Sequence, residues 1–257
     1  MHYDLFSIGG ITIHSYGLMI GLGVIVAMMV SVFRSKTKGL SSDIVLNLTI
    51  LCAILGFVGA KILYVIVEFP MFLKSPWEVF SGSGFVVYGG IISGVLAAIL
   101  YCKIKRCDFF SYLDLLIPSV SLAQGFGRIG CFLAGCCYGR ATTDWWGVTF
   151  PEGSIAPAGI SLIPTQLISA IANFALAAFL IIYSKHAKNK GNVGAAYLVL
   201  NGIGRFLIEF LRNDDRGGVG LLSTSQFISL FFVIGGLSLY GFNAWREKRQ
   251  GITSPQR

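Results

Sequence analysis

The chain has 257 residues, 54% of them hydrophobic and only 12% charged, with a mean hydropathy of +0.73. A soluble domain carries about 25% charged residues, so this composition leaves too little charge to clothe a water-exposed surface and points to a polytopic membrane protein. The net charge of +8 does not mark a nucleic-acid binder, because the cations alternate with apolar segments instead of clustering.

The opening MHYDLFSIGG has no basic n-region and no small-residue cleavage site, so no removable signal peptide is expected. A helix needs about 20 apolar residues to cross the hydrocarbon core. Seven segments qualify: about 16–33, 44–67, 85–102, 111–134, 165–184, 194–211 and 224–243. They are apolar on all faces and lack barrel alternation, so each is expected as a helix. The expected fold is all-α, a single membrane-embedded domain over 1–257 with a basic tail from about 244 to 257.

The connections alternate in charge. Arg34, Lys36 and Lys38 follow the first span, and Lys103, Lys105 and Arg106 the third. Lys185, Lys188 and Lys190 follow the fifth, and Arg246, Lys248 and Arg249 the seventh. The remaining loops, EFPMFLKSPWE, YGRATTDWWGVTFPEG and RNDDRGG, are acidic or mixed and rich in Trp, Pro and Gly. By the positive-inside rule the basic loops face the cytoplasm, which places the N-terminus outside and the C-terminus inside. The basic loops also suit anionic membrane lipids.

Charges that stand out inside or at the edge of spans are Lys61, Arg128, Arg205, Glu209 and Arg212. A central Arg or Lys costs about 2.5–3.5 kcal/mol on insertion scales, so such residues face a cavity, pair, or hold a charged ligand. Arg205 and Glu209 lie four apart on one helix face and can form a structural ion pair. Arg128 has no carboxylate within a helical turn in sequence, which favours a ligand role. The excess of cations suits an anion, and in a membrane the available anion is a phospholipid phosphate.

GFVGAK, GFVVYGGIISG and GFGRIG place glycines at helical spacing. Such glycines let helix backbones approach closely, and beside arginines they also leave room for a headgroup. GRIGCFLAGCCYGR sets Cys131, Cys136 and Cys137 next to Arg128. Three readings stay open for these thiols: small hydrophobes in helix packing, a disulfide from Cys131 to Cys136 or Cys137, or reactive thiolates near Arg128. No metal site is expected, because C-x₄-C-C lacks the usual C-x₂-C spacing.

At these residues the chain resembles the prolipoprotein diacylglyceryl transferases, from about residue 6 to residue 243. FSIGGITIHSYGLM, with Tyr16, is similar to the family's N-terminal segment, and GAKILYV to its second-span motif, with Lys61 where an arginine is usual. VYGGIISG, with Gly89 and Gly90, resembles the third span, and GRIGCFLAGCCYGR, with Gly127, Arg128 and Gly139, the signature. IPTQL with Gln166, GIGRFLIEFLRNDD with Arg205, Glu209 and Arg212, and STSQFISL with Gln226 are similar to later motifs.

The resemblance implies transfer of a diacylglyceryl group from phosphatidylglycerol to the lipobox cysteine of prolipoprotein signal peptides, in the bacterial cytoplasmic (plasma) membrane and without a cofactor. It assigns catalysis to Tyr88, Arg128 and Arg205. Substrate binding falls to Tyr16, Lys61, Gly89, Gly90, Gly127, Gly139, Gln166, Glu209, Arg212 and Gln226. Four positions depart from the family pattern: Tyr88 replaces the third-span histidine, Cys131 the signature asparagine, Cys136 the signature glutamate, and Asn201 a tyrosine. A phenol titrates near about 10 and a thiol near about 8.5 in water, so neither is a neutral-pH base unaided. Two alternatives stand beside the transferase: a paralog with the same lipid site but another acceptor or thiol-based chemistry, and a non-enzymatic lipid-binding protein.

The charge pattern predicts that a cysteine placed at Trp145, in a background without other cysteines, is labelled by an impermeant maleimide on intact cells, whereas one at Lys188 is not. Labelling at 145 only after permeabilisation reverses the orientation.

Overall fold

The computed structural model describes residues 4–8, 11–82, 84–213, 218–220 and 222–249. Residues 214–217 of the acidic loop and the tail beyond 249 lie outside them. The chain begins with an antiparallel hairpin, β1 (Asp4–Ile8) and β2 (Ile11–His14). Helices α1 (Ser15–Thr37) and α2 (Ser42–Val67) follow, then two short helices, α3 (Phe69–Lys74) and α4 (Pro76–Ser81). Next come α5 (Val87–Ile104) and α6 (Phe109–Ala134), then a loop holding the two-residue strands β3 (Val148–Thr149) and β4 (Ser161–Leu162). Helices α7 (Thr165–His186) and α8 (Asn192–Glu209), the hairpin of β5 (Gly218–Val219) and β6 (Leu222–Ser223), and α9 (Thr224–Arg249) complete the chain.

Six helices, α1, α2, α5, α6, α7 and α9, are long and apolar enough to cross a membrane. The protein is therefore all-α and polytopic. The segment expected as a seventh span is helical as α8 but is not among the six. Asn192, Asn201, Arg205 and Glu209 lower its hydropathy, and Asn192, Arg205 and Glu209 find partners inside the protein. Large apolar residues along α1 and α2, among them Met29, Phe33, Phe57 and Ile66, are more than 60% exposed. Only an apolar solvent makes that surface favourable.

The chain divides into two compact units, residues 31–112 and residues 1–30 with 113–257. In the first, α2 packs along α5 through small residues. A Cβ built on Gly90 would lie 2.8 Å from the Gly56 carbonyl oxygen, and one on Gly89 would collide with the Gly59 carbonyl. Polar groups bridge the same seam: Ser93 Oγ donates to the Leu55 carbonyl (2.8 Å), Cys52 Sγ to that of Gly94 (3.4 Å), and Asn47 Nδ2 to Tyr101 Oη (3.0 Å). In hydrocarbon such bonds replace water that the groups lack.

In the second unit α8 and α9 approach equally closely. A Cβ on Gly236 would lie 2.8 Å from the Ala195 carbonyl, and one on Gly202 would lie 3.0 Å from that of Ser229. Asn243 Nδ2 donates to Asn192 Oδ1 (3.0 Å) within this seam. The start of α8 is held by Asp114 of α6, whose two oxygens accept from the Gly191 (2.7 Å) and Gly194 (2.9 Å) amides. A carboxylate there satisfies otherwise orphaned amides and complements the helix dipole. Gln124 of α6 donates to Tyr197 Oη of α8 (2.8 Å), and Leu180, Val193 and Tyr197 form a buried apolar cluster.

The α2–α5 seam predicts that Gly90→Val, which must push a side chain against the Gly56 backbone, destabilises the protein by about 1–3 kcal/mol. A lowered thermal midpoint in detergent checks this, and an unchanged midpoint refutes the close approach.

Candidate active site

The cysteine-rich segment is shaped by how α6 ends. Gly135 adopts a left-handed backbone (φ +69°). Its amide donates to the Phe132 carbonyl (3.2 Å), and the Cys136 amide to that of Cys131 (3.0 Å). This pair of bonds is the Schellman closure, which folds the chain back over the last turn and sets a residue against the one five positions earlier. Here the two residues so paired are Cys136 and Cys131.

Cys137 then takes a left-handed conformation itself (φ +63°), which costs a non-glycine residue about 1–3 kcal/mol. Two buried side chains at the start of α7 hold the turn in place. Gln166 Nε2 donates to the Cys136 carbonyl (2.8 Å) and Thr165 Oγ1 to that of Cys137 (2.8 Å). As a result the sulfurs of Cys131, Cys136 and Cys137 all lie within 4.8 Å of one another. None is in a disulfide; Cys131 is buried and the other two are half-buried. Hydrogen bonding with Cys131 first, then with Cys137, pushes the Cys136 thiol far above the usual thiol range. The same closure recurs at the end of α5, where Arg106 is left-handed (φ +53°) and the Cys107 amide donates to the Cys102 carbonyl (2.9 Å). The C-x₄-C spacing thus joins two thiols wherever a helix ends between them, and only Cys137 makes a group of three.

Arg128 sits on α6 three residues before Cys131, and so on the same face. The Tyr16 side chain lies against α6 at Gly130, where a Cβ would be 3.1 Å from Tyr16 Cδ2. Tyr16, Arg128 and the three thiols fall within electrostatic reach of one another. A Cβ on Gly127 would meet nothing within 4 Å, so this glycine leaves open space beside Arg128. Gly139 has a different task. A side chain there would strike Ile163 Cβ (2.7 Å) and the Leu211 carbonyl (2.8 Å). Its amide donates to the Ile163 carbonyl (2.9 Å), and Arg140 N to that of Leu211 (2.9 Å). Gly139 also bridges the backbone of Arg212, which is buried.

A second group joins α8 to α9. Arg205 Nη2 pairs with Glu209 Oε2 (3.3 Å) and donates to Ser225 Oγ (2.8 Å). Ser223 Oγ donates to Glu209 Oε1 (3.1 Å). Ser223 and Gln226 cap α9 reciprocally: the Ser223 amide donates to Gln226 Oε1 and the Gln226 amide to Ser223 Oγ, both at 3.1 Å. The ion pair anticipated from the four-residue spacing is formed.

The residues 31–112 hold the third group. Lys61 Nζ donates to the carbonyls of Gly82 (2.7 Å) and Gly84 (3.3 Å) and lies over the Phe85 ring (4.8 Å) and the Tyr64 ring (5.2 Å). Tyr88 is half-buried in the first turn of α5, directly before Gly89 and Gly90. Those two glycines admit the α2 backbone. Sequence reading did not single out Thr165, Ser225 or Asp114. Of these, Asp114 carried a usable signal, an acid inside an apolar segment.

The helical membrane protein thus sets the half-buried Arg128 close to three thiols and a tyrosine. The chain belongs to the prolipoprotein diacylglyceryl transferase family, whose profile matches residues 4–242. It is 48% identical to phosphatidylglycerol–prolipoprotein diacylglyceryl transferase 2 of Clostridium perfringens, over 97% of this chain and 98% of that one. It is 47% identical to the phosphatidylglycerol–prolipoprotein diacylglyceryl transferase of Clostridium tetani, over 95% and 98%. With the enzyme of that name from Clostridioides difficile the identity is 34%, over 95% and 96%.

The clamp on the cysteine turn predicts that Gln166→Leu, which strips the donor from the Cys136 carbonyl, costs about 1–3 kcal/mol. Faster amide hydrogen exchange across residues 135–138 checks it; unchanged protection there refutes the clamp.

Proposed function

We propose that the chain transfers a diacylglyceryl group from phosphatidylglycerol to the lipobox cysteine of prolipoprotein signal peptides, releasing glycerol phosphate. The observation that carries this reading is the end-to-end match with relatives named for that reaction, at 48% identity over 97% of this chain. The protein acts as one membrane-embedded transferase domain of the bacterial plasma membrane. On this reading α8 serves as a seventh span, the N-terminus lies outside and the C-terminus in the cytoplasm.

The chemistry asks for two things. A thiol must be ionised to attack a glycerol carbon, and a phosphate must leave carrying the electron pair of the broken C–O bond. Fixed cations stabilise the charge that develops on that phosphate, and they do so more strongly where water is excluded. Arg128 and Arg205 take this role, with Arg212 in support. Tyr16, Lys61, Gln226 and Glu209 complete the headgroup contacts or hold the arginines in place. Gly127 supplies room beside Arg128. Gln166 Oε1 is buried without a donor among the described residues, and a substrate hydroxyl or N–H would satisfy it. Tyr88, standing where the family has histidine, contributes a hydrogen bond to headgroup or acceptor.

Purified protein given labelled phosphatidylglycerol and a lipobox peptide should transfer label to the peptide thiol. Arg128→Ala and Arg205→Ala should each reduce turnover by about 10²–10³-fold, and Lys at either position should restore it only in part, since Lys lacks the bidentate fork. Tyr88→Phe should cost less than the about 10²–10⁴-fold typical of a positioned acid–base group. Wild-type turnover in both alanine variants would reject the phosphate assignment, and no transfer by folded wild type would reject the reaction.

A further inference from the structure

Three groups of side chains compete for a role beyond phosphate binding: the capped Arg205–Glu209 network, the Lys61 site between the Gly82 and Gly84 carbonyls, and the three thiols. Lys61 is satisfied by the carbonyls and rings described above, and the Arg205–Glu209 network already belongs to the phosphate site proposed above. The thiols are not accounted for by any step proposed so far, and their geometry is specific.

We propose that Cys131, Cys136 and Cys137 form a three-thiolate site for zinc, whose open fourth position takes the acceptor thiol and delivers it as thiolate. The inference rests on the transferase reading and names the device that ionises its nucleophile.

Four observations support it. The three sulfurs already lie within 4.8 Å of one another, and tetrahedral zinc with Zn–S bonds of about 2.3 Å needs them about 3.8 Å apart. The remaining contraction is within reach of side-chain rotation. The backbone that carries them is fixed independently of any ion, by the Schellman closure and by the bonds from Gln166 and Thr165. Cys137 is held in a left-handed conformation that a packing role alone does not require. The pair Cys102 and Cys107, held by the same closure, has no third cysteine at its turn, so the group of three comes from Cys137.

Thiolates select soft, redox-inert zinc over hard cations such as magnesium. A catalytic zinc site keeps three protein ligands and leaves the fourth for water or substrate. That count is met here. Three thiolates on one divalent ion leave an excess of negative charge, and the Arg128 guanidinium beside the cluster offsets it.

The step balances without any other reagent. The acceptor cysteine joins the ion as thiolate and its proton passes to water, since a thiol coordinated to zinc is deprotonated outright. The sulfur then forms its bond to the glycerol carbon while the C–O bond to phosphate breaks. The electron pair departs with glycerol phosphate, and the product thioether, a neutral and weaker ligand, leaves the metal.

The test uses full-length protein in detergent, reduced, stripped with a chelator and reloaded with Co²⁺ as a spectroscopic probe. The expected result is about one cobalt per chain, a thiolate-to-cobalt charge-transfer band, and displacement of both by Zn²⁺. Cys131→Ser, Cys136→Ser and Cys137→Ser should each weaken binding by at least the about 10–100-fold that loss of an outer-shell partner costs. Cys102→Ser should leave the band unchanged and serves as the folding control.

A lipobox peptide should add intensity to the band, and its serine analogue should not. Absence of the band in folded, reduced wild type overturns the site, as does a Cys131–Cys136 or Cys131–Cys137 disulfide in protein taken from cells. A band indifferent to the peptide thiol, or lipid transfer undiminished after chelation has removed the band, overturns the role in catalysis while leaving the transferase reading intact. A band that responds to the peptide in protein that transfers no lipid supports the metal site and rejects the transferase reading instead.

Discussion

Hydrocarbon offers a polar group no partner, so every charge within a span must be solvated by the protein itself. This constraint organises the structure. Lys61 is received by two backbone carbonyls and two aromatic faces. Arg205 is received by Glu209 and Ser225. Asp114 spends both oxygens on the first amides of α8, and that helix in turn carries Arg205. Each of these groups is costly to bury alone, and the fold keeps each as a member of a small polar network.

Close approach of backbones is the complement of that rule. Between lipid-exposed helices there is no hydrophobic gain from mutual contact, so contact must come from packing and short hydrogen bonds. Gly56, Gly59, Gly89 and Gly90 provide it between α2 and α5, and Gly202 and Gly236 between α8 and α9. Glycines in the family motifs therefore serve two ends. Gly139, wedged between Ile163 and Leu211, holds together the backbone that bears Arg212, whereas Gly127 opens space next to Arg128.

The departures from the family pattern form a chemically coherent set. By the resemblance to the family, Cys131 and Cys136 stand where asparagine and glutamate are expected and Tyr88 where histidine is, and the structure gathers Cys131, Cys136 and Cys137 into one group of thiols. On the proposed transferase reading, this set exchanges a neutral-pH base for a cluster of soft ligands as the means of ionising the acceptor sulfur. The arginines proposed for the phosphate keep their places in the motifs.

The sequence by itself determined the class, the positions of the long helices and the cations, because hydropathy over about 20 residues is a one-dimensional property. It also contained the Arg205–Glu209 pair, since four residues on a helix is a fixed distance. It marked α8 as a helix, whose Asn192, Asn201, Arg205 and Glu209 hold it below the apolarity of the six candidate spans. What only the tertiary structure decided is which polar atoms meet across elements. Asp114 reaching the amides of residues 191 and 194, Gln166 and Thr165 gripping the cysteine turn, and the convergence of three sulfurs all depend on it. C-x₄-C-C reads as poor metal spacing along an extended chain. It becomes a cluster because a left-handed glycine reverses the backbone within one helical turn, and that reversal is a fact of three dimensions.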